Sequence, residues 1–217
     1  MCTNRTSFKI AAFVIVSVLL TDCKKEEPMT YFESKVDRDM LDKFMFNAGT
    51  YWIYEDEQTM ELDSIVVLGW STGFNTIPCP HGCPSRRTSR YEYFVMWMTS
   101  ITNGNGWNYY FDGDWFKYNG GGEYGHLGQP IFMYNEPVGS EFNGARIVDQ
   151  LDSLTILGNT YYEVTKMKIT QAEQFDIMFS DDLHFYFSEH VGLIRKEKLN
   201  QDGSVNKTWN LKRYEIH

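Results

Sequence analysis

The sequence predicts an all-β fold: one antiparallel meander domain whose curved sheet forms a full or partial barrel, with a two-sheet β-sandwich as the alternative. Segments after residue 50 are dense in Tyr, Phe, Trp and β-branched residues, which favour strands. Asn-Gly, Asp-Gly and Gly-Asn pairs separate these segments. Short connections of this kind join neighbouring antiparallel strands, and few stretches show the apolar spacing of a helix.

The first predicted element is a short helix over residues 37–46, where apolar residues recur three and four positions apart. A second short helix is expected over residues 171–179. The strands are expected where aromatic and β-branched residues alternate with polar ones between turn residues. Their predicted ranges are 51–56, 64–68, 91–101, 107–111, 115–118, 152–157, 161–170, 183–188, 192–199 and 205–216.

A short internal sequence repeat indicates that the domain contains two similar units. Residues 62–69 and 151–158 share leucine, aspartate, serine and glycine at the same positions, and an aromatic-led strand follows each copy. Two similar meanders are therefore expected to pack into one sheet that curls on itself. The alternative is that strand-and-turn sequences match by chance.

The first 22 residues are typical of a secretion signal. Arg5 and Lys9 precede the apolar run 10–20, which is roughly half as long as a helix that spans a bilayer. The run ends at Cys23 and resembles the lipobox of bacterial lipoproteins, although Asp22 stands where that family has Gly, Ala or Ser. The resemblance implies that Cys23 is lipidated and anchors the protein. The expected organisation is a signal peptide over 1–22, a lipidated cysteine and tether over 23–36, and the all-β domain over 37–217.

Charge and cysteine content limit the partners and the metal or disulfide chemistry expected of this chain. A formal net charge of −9 argues against nucleic acid or anionic lipid as a partner, because both repel a negative surface. Cys79 and Cys83 are expected to form a disulfide in an oxidising compartment. Zinc is the alternative, since His81 lies between them, but a structural zinc site needs four ligands. No metal or other cofactor is predicted.

A second resemblance concerns strand motifs. The segments Gly49-Thr50-Tyr51-Trp52-Ile53-Tyr54 and His190-Val191-Gly192-Leu193-Ile194-Arg195 are similar to a pattern in uncharacterised Bacteroidota surface lipoproteins. There a Tyr-Trp-x-Tyr strand opens the domain and a Gly-Leu-hydrophobic-basic strand lies near its end. The resemblance implies a fold and an outer-membrane, surface-exposed location, and it implies no activity.

Catalytic motifs are weak. The segment 69–73 matches the Gly-x-Ser-x-Gly nucleophile elbow, but the prolines after it exclude the helix that this elbow requires. A polar turn is the favoured interpretation, and a serine hydrolase using Ser71 with His184 or His126 is the rival. Strand alternation places Asp182 and His184 on one face, where a solvated polar surface is the simpler account. No catalytic residue is therefore predicted.

Aromatic residues supply the predicted ligand site. The segment 107–124 combines aromatic rings with Asn, Asp and glycines, a mixture that suits glycan binding. Burial in a β core is the competing account. The site residues expected to contact a ligand are Trp107, Tyr109, Phe111, Trp115 and Tyr118. The sequence thus favours a lipid-anchored, non-catalytic binding or scaffolding module for a glycan or surface ligand; a structural subunit of an envelope assembly is a further alternative. Protein partners are not indicated.

Overall fold

The chain folds as one curled sheet that forms a half-barrel. The computed structural model describes residues 31–78, 88–102, 104, 106–113, 115–120, 129–142, 144–170 and 182–217. All strands in those ranges belong to the same sheet. The predicted all-β fold and partial barrel are confirmed, and the two-sheet sandwich is wrong because the two meanders join edge to edge.

The described elements are one helix, α1 (Arg38–Phe44), and strands numbered in chain order. The strands are β1 (Tyr31–Ser34), β2 (Tyr51–Asp56), β3 (Leu62–Pro78), β4 (Thr88–Ser100), β5 (Gly106–Asp112), β6 (Trp115–Gly120), β7 (Gln129–Met133), β8 (Glu141–Phe142), β9 (Ala145–Ile156), β10 (Asn159–Ile169), β11 (Leu183–Ser188), β12 (Gly192–Leu199) and β13 (Val205–Glu215).

Two antiparallel meanders make up the sheet. The first runs from β2 to β7 and the second from β8 to β13, and they join where β2 pairs with β13. The expectation of two meanders in one sheet agrees with this arrangement. The repeated segments are not equivalent, however, because residues 62–69 begin β3 whereas residues 151–158 end β9 and enter its turn.

Several predicted elements differ in length from the observed ones. β3 was expected to end at residue 68 but continues to Pro78, and β9 begins at Ala145, well before the predicted residue 152. Strands β1, β7 and β8 were not predicted. The sequence assigned Tyr31–Ser34 to the tether, whereas the structure pairs these residues as β1, parallel to the start of β4. The predicted helix at 171–179 lies outside the described residues.

The inner face of the sheet carries the core. On β4 the buried residues alternate, as expected for a strand with one covered face: Phe94, Met96 and Met98 point inward. We call this side of every strand the inner face and the opposite side the outer face. Helix α1 packs against the inner face through its buried residues Met40, Leu41 and Phe44.

Helix α1 fills the opening of the half-barrel. Asp37 caps its N-terminus by accepting a hydrogen bond from the Met40 amide at 3.0 Å. Arg38 binds the Glu92 carboxylate on β4 at 2.7 Å. At the other end, Lys43 lies 2.9 Å from Glu189 and donates to the Tyr134 hydroxyl at 2.6 Å. Both ends of the helix are therefore tied to the sheet.

The two strand motifs of the sequence contact one another. Trp52 donates its indole N–H to the Val191 carbonyl at 2.7 Å, and Tyr54 donates its hydroxyl to the Leu193 carbonyl at 2.7 Å. Both rings are buried. Gly192, at φ +89°, leaves room for the rings of Phe46 and Trp52. The residues that carry the resemblance are thus structural in this protein.

Candidate functional site

The Gly-x-Ser-x-Gly segment lies in the middle of β3. Gly69 and Gly73 are paired with Trp97 and Tyr93 of β4, on the outer face. A Cβ added to Gly73 would lie 2.5 Å from the Tyr93 hydroxyl oxygen, because the tyrosine ring lies over the glycine. Glycines inside strands often mark such close approaches. The expected polar turn is therefore wrong, since the segment continues the strand beside these aromatic residues.

Ser71 is not placed as a nucleophile. It lies opposite Val95 within a continuous strand, whereas a catalytic serine of this motif sits at a sharp strand-to-helix turn. His184 is on β11, and β2, β13 and β12 separate that strand from β3. Four strand spacings correspond to about 19 Å along the sheet. Ser71 and His184 do not form a catalytic pair in this structure, and His126 lies outside the described residues.

The polar neighbours of His184 form a network around the Glu197 carboxylate on the outer face. The Glu197 carboxylate lies 3.1 Å from His184 Nδ1, accepts from the Tyr186 hydroxyl at 2.9 Å and lies 3.0 Å from Arg195 Nε. Burial alone would raise the pKa of Glu197, but the hydrogen bonds from His184 and Tyr186 and the charge of Arg195 outweigh it and lower the pKa. These groups hold strands β11 and β12 together.

Asp182 does not pair with His184, although the sequence placed the two residues on one face. Its carboxylate lies 2.9 Å from the Lys168 ammonium on β10. Within the described residues, no group of three or more His, Cys, Asp and Glu side chains could hold a metal ion. The Cys79 and Cys83 pair falls outside that part of the chain. The described region contains no helix long and apolar enough to cross a membrane.

Two of the five residues predicted to bind a ligand pack in or against the core, and the side chains of the other three lie outside the described part of the structure. Phe111 is fully buried opposite Phe94, so its ring does not face a ligand. Tyr109 is half-buried and packs against the core. The reason is the register of β5, which places the face of these two residues inward, beside the buried side of β4.

The other three predicted residues are located by their backbone alone. Trp107 is paired with Met98 of β4, and Tyr118 of β6 is paired with Tyr109. Trp115 is at the start of β6. The side chains of Trp107, Trp115 and Tyr118 lie outside the described part of the structure, and their ligand-binding role stays a prediction.

A different set of aromatic residues lies on the outer face of β4 and β5. Trp97 is 42% exposed. Tyr93 and Tyr110 are half-exposed and stack with ring centroids 5.4 Å apart and planes 17° from parallel. Tyr93 and Trp97 are four positions apart on one strand, which corresponds to about 13 Å. We call Trp97, Tyr93 and Tyr110 the outer aromatic face.

Polar side chains border this face. Asn75 of β3 donates its amide to the Tyr110 hydroxyl at 2.8 Å, which fixes the orientation of that ring. Asn108 is paired with Trp97 across β4 and β5, and Ser71 is on the neighbouring strand. Rings that are held by strands, with amide and hydroxyl groups between them, can stack on the apolar face of a sugar ring while the polar groups bind its hydroxyls.

The sequence contained a signal for this face that the spacing of single strands does not show. Gly69 and Gly73 are four residues apart, and so are Tyr93 and Trp97. Only the antiparallel register of β3 and β4 brings each glycine opposite an aromatic ring. Gly69 and Gly73 lie beyond the predicted end of that strand at residue 68, so the equal spacing identifies this face only once the pairing is known.

Comparisons with known proteins give a likeness to solved structures. No protein-family model matches the chain, and no curated protein matches it. A structure described as a "putative exported protein with YmcC-like fold" from Bacteroides fragilis is 10% identical with a TM-score of 0.45, and the match covers 80% of this chain and 98% of that one. A "putative lipoprotein" from Parabacteroides distasonis is 11% identical with a TM-score of 0.37, over 80% and 99% of the two chains.

Proposed function

We propose that this protein is a lipid-anchored protein of the outer membrane, exposed on the cell surface, that acts as a non-catalytic binding module. The outer aromatic face is the ligand surface, and glycans are the ligand class. The observation that carries this proposal is the exposure of Trp97 in a row with Tyr93 and Tyr110, on rigid strands and beside side-chain amides. The N-terminal signal and Cys23 support the location.

The geometry fits an extended sugar chain better than a small enclosed molecule. The face is open and follows β4 over about 13 Å between Tyr93 and Trp97, so two rings can contact units of the same chain. The Asn75 bond and the Tyr93–Tyr110 stack hold two of the rings in place without a ligand. Little conformational freedom is then lost on binding, which favours affinity.

A glycan array with the domain from residue 31 to residue 217 tests the ligand class. If the parent binds a glycan on the array, Trp97→Ala should weaken that binding at least tenfold. The melting temperature should stay nearly unchanged, because the ring is exposed. Trp70→Ala is the matched control, since Trp70 is 43% exposed but lies on the opposite face. Equal loss in both variants, or a parent that binds no glycan, would contradict the proposal.

Membrane attachment has a separate test. If Cys23 is the acylated first residue, Cys23→Ser should move the protein from the membrane fraction to the soluble fraction of the envelope. Mass spectrometry of the N-terminal peptide measures the acyl chains directly. A Cys23→Ser protein that stays attached to the membrane through an intact N-terminus would contradict the lipoprotein assignment and leave the glycan proposal standing.

A further inference from the structure

Strands β3 and β4 extend past the core and form an arm with two exposed apolar rings. Trp70 and Phe74 occupy inner-face positions of β3, paired with Met96 and Glu92. Their side chains are nevertheless 43% and 41% exposed. We call residues 70–78 of β3, residues 88–94 of β4 and the paired strand β1 the arm.

The β3–β4 hairpin sequence that includes the arm is basic in an acidic protein. Residues 64–91 contain Arg86, Arg87 and Arg90 and no aspartate or glutamate, although the whole chain carries a net charge of −9. The acidic neighbours are compensated, since Glu92 binds Arg38 at 2.7 Å. Glu33 of β1 is paired with Arg90 itself, and Lys35 lies two residues further along the chain. Residues 64–91 therefore carry no negative charge of their own, and the argument from net charge against an anionic surface does not apply to this hairpin.

Arg90 and Phe74 form one mixed polar and apolar unit. The guanidinium carbon lies 4.2 Å from the centroid of the Phe74 ring. Trp70 lies on the same face of β3, and its ring packs against Phe94 at 6.2 Å. An aromatic ring beside an arginine is typical of the interface between lipid headgroups and acyl chains, where the ring enters the apolar region and the cation stays with the phosphates.

The tether is attached at the end of the arm and is short enough to keep this face within reach of the membrane. β1 runs parallel to β4 and begins where Tyr31 pairs with Thr88, at the start of β4 and the outer end of the arm. Cys23 precedes Tyr31 by eight residues, and a fully extended tether of that length reaches about 28 Å. A chain anchored at Cys23 therefore enters the domain at the end of the arm nearest to Phe74 and Arg90.

We infer that the inner face of the arm docks on an anionic lipid surface, with Trp70 and Phe74 at the interface and Arg90 on the headgroup phosphates. The inference rests on the lipid anchor in the proposed function. A weak contact is enough, because the tether keeps the arm at a high effective concentration above the bilayer. The outer aromatic face lies on the other side of the same strands, so this docking turns it away from the membrane.

Fluorescence quenching by brominated lipid tests the contact. The chain from Lys24 onward is held on vesicles through an N-terminal hexahistidine tag and a nickel-chelating lipid, so the result does not depend on acylation. The vesicles contain phosphatidylcholine and phosphatidylglycerol with brominated acyl chains. We expect Trp70→Phe to remove most of the bromine quenching and Trp97→Phe, the equally exposed control on the outer face, to retain it.

Charge dependence completes the test. Arg90→Gln should reduce the quenching severalfold on the mixed vesicles and have little effect on vesicles of phosphatidylcholine alone. Unchanged melting temperatures would show that the three variants are folded. Quenching that Trp70→Phe and Trp97→Phe reduce equally, or that is absent from the parent, would overturn the inference. So would an Arg90→Gln variant that loses binding to a sulfated glycan while the quenching stays the same, because Arg90 would then serve a sugar.

Discussion

Two glycines of this sheet share a backbone conformation and differ in their surroundings. Gly192 has φ +89° and Gly158 has φ +85°, both in the left-handed region that favours glycine. A Cβ at Gly192 would lie 3.2 Å from a carbon of the Phe46 ring, whereas nothing lies within 4 Å at Gly158. A comparison of substitutions at these two positions therefore distinguishes the cost of backbone strain from the cost of steric contact.

Alanine substitution at both glycines should show this difference. Each variant is expected to lose about 1 kcal/mol to left-handed backbone strain. Gly192→Ala should lose about 1–3 kcal/mol more, because Phe46 and Trp52 must move in a packed core. Urea denaturation of the two variants and the parent measures the loss. Equal destabilisation would show that the ring contacts at Gly192 adjust without cost.

Residue patterns located the turn between β9 and β10 but missed its exact conformation. The sequence predicted a turn at Gly158-Asn159, but Ile156 pairs with Asn159, so the turn residues are Leu157 and Gly158. Leu157 has φ +49° and is exposed. Leucine rarely adopts this conformation, so a residue pattern assigns it to the strand. The register of β9 and β10 overrides that preference.

At the scale of elements, the pairing of β11 with β12 depends on a buried carboxylate. Glu197 accepts hydrogen bonds on a part of the outer face where Tyr186 and Thr208 are also buried, and its pKa is lowered in the folded protein. A carboxyl group with a lowered folded-state pKa stabilises the fold above its unfolded-state pKa. That contribution is lost as the pH falls through the folded-state value.

Glu197→Gln should therefore change the pH dependence of stability. At pH 7 the variant is expected to be less stable by about 2 kcal/mol, because hydrogen bonds to a charged group are lost. The difference from the parent should shrink as the pH falls below about 4.3, the unperturbed pKa of glutamate, and through the lowered pKa of the folded carboxylate. Urea denaturation from pH 3 to pH 8 measures both curves. Glu141→Gln, at an exposed position of β8, is the control and should parallel the parent.

Most strands were predictable from the sequence, whereas β1, β7 and β8 and the full lengths of β3 and β9 were not. Alternating aromatic and apolar residues located β2, β4, β5, β10, β11 and β12 close to their observed positions. The predicted β3 was too short because Gly69 and Gly73 weaken a strand when its sequence is considered without its partners. Their aromatic partners on β4 are distant in sequence, and the same register that lengthens β3 also creates the outer aromatic face. The site could not be predicted before the pairing was known.

For the whole molecule, the decisive pairing joins the first strand of one meander to the last strand of the other. β2 and β13 are neighbours, and no local pattern in the sequence states this. The hydrophobic core also extends across both meanders. Phe44 of α1 lies 4.6 Å from Phe132 of β7, and Phe132 lies 5.1 Å from Phe187 of β11, measured between ring centroids. The helix thus connects the far edge of the first meander to the second.

This shared aromatic contact predicts that the two meanders unfold together. Phe44→Ala should cost about 3–5 kcal/mol, because it leaves a cavity between Phe132 and Phe187. Native-state hydrogen exchange should then show an equal loss of protection in β7 and β11, since one ring supports both strands. Asp42→Ala, at an exposed position of α1, is the control and should leave both strands protected. Loss of protection in one strand alone would mean that α1 belongs energetically to a single meander and that the β2–β13 pair is the weaker link between the halves.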